Sequence, residues 1–524
     1  MKRPKYFQNT INMKRLIQLT IFSVLFITAC KPKQAILDSN KEDGLITFKL
    51  IQLNDVYEIA PLSGGKYGGM ARVAHVRDSI ANENPNTLLF MAGDFLNPSL
   101  LGTIKFEGEP IAGRQMIEVM NAMKFDLATF GNHEFDIGEA ALQKRLDESK
   151  FAWTSANVRK VVESDIVPFT IQNNKGHIYI PDTHTITLGD ADGTNIDIGF
   201  FSVTIPSNPQ EFVHYGDIFI EASRAYNLLE MNTDIVIGLT HVKIEEDKQL
   251  AKQLPNVQLI MGGHEHNSML IPTENGVIAK ADANAKTIYI HTLTYNTTTK
   301  ELAIDSHLMP IDERIASQPE VDAIIKKWNA ILESKIEEVI SDPNEVIYYA
   351  NPPLDGTDSA NRGIQTNLGD IITHAMALSF DKNVDAALVN GGSIRLDDIL
   401  EGEVTSLDVF RVLPFGGSVV HVDITGDLLK KVLDFGKANS GTGAYLQRYN
   451  IKEGSRGRWL LDGAPIDAAE NYTVAFSDFL LKGYDIPFLT PENEGILKVY
   501  EPKKEEAAFD IRKAVILYLK SLKK

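Results

Sequence analysis

The stretch LATFGNHEFD, residues 127–136, holds a buried strand and its chemistry in ten positions. The apolar run Leu127–Thr129 ends near Gly131, and Asn132, His133 and Asp136 follow at once. Four other apolar runs end in the same way. Leu45–Leu53 leads into Asn54-Asp55 and Thr87–Met91 into Gly93-Asp94; Ile235–Leu239 leads into Thr240-His241 and Val257–Met261 into Gly262-Gly263-His264. Helical spacing separates the early runs, near Gly69–Asn82 and Gly113–Met123, and further strand-like runs lie at Ile196–Val203 and Thr287–Thr292. Short buried strands alternating with helices predict an α/β fold. Ligands in such sheets gather at the carboxyl ends of the strands, where these polar residues stand.

The length of 524 residues suggests roughly three domains, or two large ones. Hydrophobic residues make up 44% and charged residues 23%, which excludes a mainly disordered, collagen-like or disulfide-dense chain. The net charge is −18, and the first 30 residues carry five cations and no acid, so their removal would leave −23. So acidic a body repels a phosphate backbone and argues against nucleic-acid binding. An anionic substrate needs local cations, supplied by metal ions or a few aimed arginines.

The single cysteine, Cys30, permits no intrachain disulfide and no thiolate cage. It closes the apolar run Leu16–Ala29, behind the basic residues Lys2, Arg3, Lys5, Lys14 and Arg15. That run is short for a membrane span of about 20 residues and suits a signal-peptide core. The ending Ile27-Thr28-Ala29-Cys30 resembles a bacterial lipoprotein signal, which implies lipidation of Cys30. Translation from Met1 and from Met13 both fit this reading. The expected organisation is a signal peptide over 1–30, a polar tether over 31–44 and a soluble body. That body would be held at the cell envelope by lipid alone and would face the periplasm or the exterior.

Asp55, Asp94, Asn132, His133, His241, His264 and His266 all follow strand ends. Singly, an Asp or Asn after a strand is often a turn former or helix cap, and a lone His is usually structural. Five such sites in order make a ligand set. Carboxylate, carboxamide and imidazole together suit Zn, Mn, Fe or Co rather than Mg or Ca alone. Two such ions about 3.5–4 Å apart can share a carboxylate and activate water for in-line attack at phosphorus.

The motifs NDVYE (54–58), AGDFLN (92–97), GNHEFD (131–136), THVKIEED (240–247) and GGHEHN (262–267) resemble those of the calcineurin-like metallophosphoesterases. More narrowly, they resemble the two-domain 5′-nucleotidases. The resemblance covers about residues 45–310 and implies a four-layer α/β/β/α sandwich holding two divalent ions. In that pattern Asp94 bridges the ions; Asp55 and His266 serve one, and Asn132, His241 and His264 the other. His133, oriented by Asp136, faces the transferring phosphoryl group. The family's first motif reads Asp-x-His, whereas here Tyr57 follows Asp55-Val56. A phenol with a pKa near ~10 is a poorer ligand than imidazole. Tyr57 therefore ligates as phenolate, or water takes its place, or the first ion binds weakly.

The second half adds Arg362, then Asn390-Gly391-Gly392-Ser393-Ile394-Arg395, Pro414-Phe415-Gly416, Asp478-Phe479 and Gly483-Tyr484-Asp485. Arginine forks bind phosphate, glycines allow close backbone approach, and two aromatics can sandwich a base. Strand-like runs near Ala386–Val389, Ser418–Ile424 and Tyr472–Ala475 give a second α/β pattern over 345–524. QTNLGD (365–370), NGGSIR (390–395) and LPFG (413–416) resemble the substrate-binding domain of 5′-nucleotidases. The resemblance implies that Arg362 and Arg395 hold phosphate, Phe415 and Phe479 stack the base, and Asp485 meets the ribose. Asn390 and Gly392 complete that set. Asp358 stands where some members carry another arginine, and Gly417 where an asparagine often reads the base edge.

Between the halves, helical apolar spacing from Pro319 to Ser341 marks either a linking helix within residues 311–344 or a surface helix. The expected activity is hydrolysis of a nucleoside 5′-monophosphate by a monomer with no protein partner. Alternatives are hydrolysis of 2′,3′-cyclic nucleotides or nucleotide sugars, and a lipid-tethered nucleotide-binding protein with an impaired metal site.

Overall fold

The computed structural model describes residues 43–173, 176–207, 209–338, 340, 342–380 and 384–523. Cys30 and the expected signal and tether up to residue 42 lie outside the described residues.

Two six-stranded sheets form the first half. The strand Leu45–Leu53 pairs in parallel with Thr87–Ala92, which continues to Leu127–Thr129 and Ala152–Trp153. On its other side Leu45–Leu53 runs antiparallel to Thr287–Asn296, itself antiparallel to Glu301–Pro310. The second sheet has parallel neighbours Asn195–Thr204, Ile235–His241, Leu259–Gly262 and Val277–Lys280, with antiparallel strands at both edges. Ile46, Phe48, Leu50 and Phe90 of one sheet meet Ile198, Phe200, Ile237 and Leu259 of the other in a fully buried layer. Residues alternate across a strand, so the opposite faces pack outward against helices. Met70–Glu83, Arg114–Met123 and Pro319–Glu337 cover the first sheet; Ile218–Glu230 and Ile244–Gln253 cover the second. This is the expected α/β/β/α sandwich.

The helix Pro319–Glu337 buries one face. Pro319 opens it and the Gln318 side chain accepts from the Val321 N–H; a proline costs nothing where the first-turn N–H lacks a helical partner. Val321, Ile325, Trp328, Leu332 and Ile336 are buried in one apolar cluster that runs from the first sheet's outer face into Ile347, Leu407 and Phe410 beyond. Its buried residues share one apolar cluster with residues of both halves. Glu118 accepts from the Trp328 indole N–H at 2.9 Å and from Lys327 at 2.5 Å.

The last part is a five-stranded mixed sheet in the order Leu446–Tyr449, Ala386–Asn390, Asn471–Ser477, Val419–Thr425, Ile496–Tyr500. The three strands expected from sequence are its centre. Helices Asn367–Leu378 and Ile511–Leu522 cover one face, and Gly426–Ala438 covers the other. Among the described residues no helix is long and apolar enough to cross a membrane.

Candidate metal and phosphate site

The parallel strands of both sheets end at one place. Asp55, Asp94 and Asn132 arrive from the first sheet; His241, His264 and His266 arrive from the second. Donor atoms of Asp55, Asp94 and His241 lie within 4.8 Å of one another, all buried. His241 Nε2 stands 3.2 Å from Asp94 Oδ2, and His266 Nε2 stands 3.5 Å from Asp55 Oδ1. The His264 N–H donates to Asp55 at 2.9 Å, and its ring meets His241 edge-on at 5.4 Å. Glycines allow this convergence. A Cβ on Gly131 would sit 2.1 Å from Asp94 Oδ1, and one on Gly263 would sit 2.3 Å from the Ala92 carbonyl. Asp55, Asp94 and His264 themselves hold positive φ (53°, 55° and 86°), a strain of roughly 1–3 kcal/mol each that non-glycine residues keep mainly at functional sites.

The donor set fits divalent metal. His241 Nδ1 donates to the Ala92 carbonyl at 2.8 Å, which leaves Nε2 aimed into the cluster. The Asn132 Oδ1 is buried with no hydrogen-bond partner, and His241 Nε2 has none of good geometry, only the ion-pair contact with Asp94 Oδ2 at 3.2 Å. Orphaned buried polar atoms are rare, and here both are atoms that ligate metals. Protons meanwhile stand in for cations. Burial opposes charge on His241, but Asp94 and Asp55 outweigh it and push its pKa up to about 9. Burial likewise opposes ionisation of Asp94, yet His241 and His133 hold its carboxyl far below the usual range. His264, buried beside charged His241, falls to about 3.

The Tyr57 side chain lies among these residues. Its hydroxyl lies 3.0 Å from His266 Nε2, 3.3 Å from Asp94 Oδ2 and 3.5 Å from Asp55 Oδ1. Burial and the two carboxylates raise its pKa well above 10, so without ions it stays a neutral phenol. His133 is fixed twice: its N–H donates to Asp94 Oδ1 at 2.8 Å, and its Nδ1 meets Asp136 Oδ2 at 2.6 Å. The orienting role expected for Asp136 has its geometry.

Three supporting features escaped the sequence reading. Glu134, fully buried, accepts N–H bonds from Asp94, Phe95, Leu96 and Gly131, tying the second and third motif loops together. Burial and the nearby Asp94 push its pKa up to about 7. Lys280, also fully buried, pairs with Asp247 and Glu265 and donates to the Val242 and Gly263 carbonyls, pinning the loops of His241 and His264. Asp397, from the second half, meets His266 Nδ1 at 2.7 Å. Glu134 had a local signal in the GNHEFD motif; Lys280 and Asp397 had none.

The nucleotide set assembles in part. Asn390 Nδ2 donates to Asp485 Oδ2 at 2.6 Å. Gly392 packs backbone to backbone on Gly443, 3.0 Å from where its Cβ would lie, so its place is one of close packing. Arg362 forms an ion pair with Asp358 at 2.8 Å, and its Nε is buried without a partner. Arg395 makes no ion pair among the described residues. Phe479 packs against Tyr484 with ring centres 5.8 Å apart. Phe415 is 55% exposed and lines a cleft of about 400 Å³ with Leu100, Thr103, Lys105, Phe410 and Arg512. The structure brings Phe415 into no ring contact with Phe479 among the described residues. Gly417 holds φ 93°, and a Cβ there would lie 2.5 Å from Asp478 Oδ1, so an asparagine would not fit this loop as built.

An ion at His241 must displace a proton from a group that is protonated below about pH 9. Metal binding to stripped protein at pH 7 should therefore release protons, with apparent affinity rising as pH approaches 9. Calorimetric titration in buffers of different ionisation heat measures the release; a binding heat independent of buffer at pH 7 contradicts this charge state.

A family model for calcineurin-like phosphoesterases matches residues 48–268, and one for the 5′-nucleotidase C-terminal domain matches residues 346–490. The human 5′-nucleotidase is 28% identical over 416 residues, covering 72% of this chain and 68% of that protein. The trifunctional nucleotide phosphoesterase protein YfkN of Bacillus subtilis is 27% identical over 502 residues, covering 86% of this chain. The chain spans 33% of that larger protein. Among solved structures, the 5′-nucleotidase precursor from Thermus thermophilus superposes with a TM-score of 0.73 at 23% identity, over 91% of this chain and 97% of that one. The two motif sets, the sandwich and the appended C-terminal domain agree: the chain belongs to the 5′-nucleotidase family, with a calcineurin-like phosphoesterase domain followed by a 5′-nucleotidase C-terminal domain.

Proposed function

We propose that this protein hydrolyses nucleoside 5′-monophosphates to nucleoside and phosphate, using two divalent ions. One observation carries the reading: three contacts run unbroken from a metal-ligating histidine to a phosphate-binding arginine. His266 Nδ1 meets Asp397 Oδ2 at 2.7 Å, Asp397 Oδ1 accepts the Asp358 N–H at 2.9 Å, and Asp358 pairs with Arg362 at 2.8 Å. Hydrolytic and recognition residues thus stand next to one another, as substrates with a phosphate at one end and a base at the other require.

Asp55, Asp94, Asn132, His241, His264 and His266 hold the ions, with the Tyr57 phenol beside them. When bound, two ions polarise a phosphoryl oxygen and activate water. The chain's own residues do the rest. Arg395 and Arg362 bind the phosphate, Arg362 by exchanging Asp358 for it. His133, its Nδ1 fixed by Asp136, places the rest of its ring against the phosphoryl group to stabilise developing charge. Phe479 and Phe415 stack the base, and Asp485, held by Asn390, takes the ribose hydroxyls.

The direct test is phosphate release from AMP by metal-stripped protein given Mn²⁺ or Co²⁺, with EDTA as control and other nucleotides alongside. Absence of release with every ion overturns the reading. His133→Ala should lower kcat by ~10²–10³ while metal analysis finds both ions retained; loss of the ions would make His133 a ligand instead.

The protein is further proposed to act as a monomer, lipid-anchored in a bacterial cell envelope through Cys30. The apolar run ending at the sole cysteine supports the lipid anchor. Two or more acyl chains anchor stably where one is marginal. Cys30→Ser should move the protein from the membrane fraction into soluble or uncleaved forms; unchanged fractionation and gel mobility would refute lipidation.

A further inference from the structure

We infer that Asp397, on the C-terminal domain, is a positioning residue for one of the two metal ions, acting through His266 across the domain boundary. The inference rests on the dinuclear reading above. A ligating histidine commonly gives its second ring N–H to a carboxylate, which fixes the tautomer and aims the metal-facing nitrogen. His266 has that arrangement. Nε2 faces Asp55 at 3.5 Å and the Tyr57 hydroxyl at 3.0 Å, while Nδ1 meets Asp397 Oδ2 at 2.7 Å. The two residues lie 131 positions apart, one in each domain.

Asp397 is itself held from both sides. Its Oδ1 accepts the Asp358 N–H at 2.9 Å, and its main-chain carbonyl accepts from Lys286 of the first domain at 2.8 Å. Its backbone is left-handed, φ 47°, which a non-glycine residue keeps only when its surroundings fix it. The side chain is 12% exposed. One carboxylate therefore serves the metal ligand through one oxygen and the segment carrying Arg362 through the other. Metal affinity at this ion then depends on the C-terminal domain standing where it does.

A competing explanation makes Asp397 mere interdomain adhesive. The next residue separates the two. Asp398 also crosses the boundary, accepting from Ser63 Oγ at 2.5 Å and pairing with Lys286 at 3.5 Å, but neither contact involves a metal ligand. The experiment titrates stripped, full-length chain with Mn²⁺ by equilibrium dialysis and metal analysis, without substrate. For Asp397→Ala, one of two ions should bind about 10–100-fold more weakly and the other as in the parent. Asp397→Asn, which keeps one acceptor oxygen, should fall between. Asp398→Ala should hold both ions as the parent does. Thermal melting confirms folding, and Asp397→Asn carries the test if the alanine variant fails to fold. Parent-like affinities for both ions in the Asp397 variants overturn the inference alone, as does an equal loss in Asp398→Ala. A parent chain that binds fewer than two ions overturns the dinuclear reading and the inference with it.

Discussion

A carboxylate with almost no access to water, Asp94, dictates much of what surrounds it. Burying an unpaired charge is costly, several kcal/mol after relaxation, unless partners surround it. Its partners come from every direction: the His133 N–H at 2.8 Å, His241 Nε2 at 3.2 Å and the Tyr57 hydroxyl at 3.3 Å. Each requires a loop to come close, which is why Gly131 cannot carry a side chain and why the Asp94 backbone is left-handed. Glu134 lies directly behind, holding the Asp94 N–H. Burial first, and the neighbouring Asp94 carboxylate second, push the Glu134 pKa up to about 7. Metal ions relieve the same crowding of negative charge that protonated His241 relieves without them.

The ligands of that cluster were legible because the chemistry of an α/β sheet is local in sequence. A strand ends, a glycine turns, and the next residues face the site. Asp55, Asp94, Asn132 and the histidines after Leu239 and Met261 could each be named from such a junction. The residues that support them were not legible in the same way. Lys280 reads as the last residue of a strand, yet it is bound to Asp247 and Glu265, 33 and 15 positions earlier. Nothing local marks Asp397 as the partner of His266, because the contact exists only once two domains have docked. The helix Pro319–Glu337 was legible as a helix, since its apolar residues recur every three or four positions. Which neighbour it buried them against was not.

The second domain shows the opposite case, a contact whose spacing was visible and whose meaning was not. Asp358 and Arg362 are four apart, which on a helical turn brings opposite charges together. The ion pair at 2.8 Å follows. If Arg362 binds phosphate as proposed, Asp358 would be an internal competitor, since its carboxylate occupies the fork a phosphate would take. Arg362 is also mostly buried, and burial lowers its pKa. Asp358 partly neutralises that charge until an anion arrives. Arg395 has no such partner among the described residues, so on the proposed reading it is the arginine that would meet phosphate first.

This division of labour bears on how so acidic a protein takes up an anion. At −18 overall the chain repels phosphate at long range. At physiological ionic strength that repulsion fades beyond roughly 8 Å, so capture is decided inside the cleft. There the balance of fixed charge is close: Arg362 is matched by Asp358, and His266 and Lys286 are engaged by Asp397 and Asp398. Asp55 and Asp94 add two more negative charges with His241 between them. Arg395 brings that balance only to neutrality and leaves no positive surplus for a phosphate dianion. On the proposed reading, divalent ions on the carboxylate cluster would reverse the sign of the site and so would serve substrate binding as well as chemistry. The raised pKa of Tyr57 bears on the same balance, because a neutral phenol beside such ions would leave more of their positive charge to face the phosphate than a phenolate would.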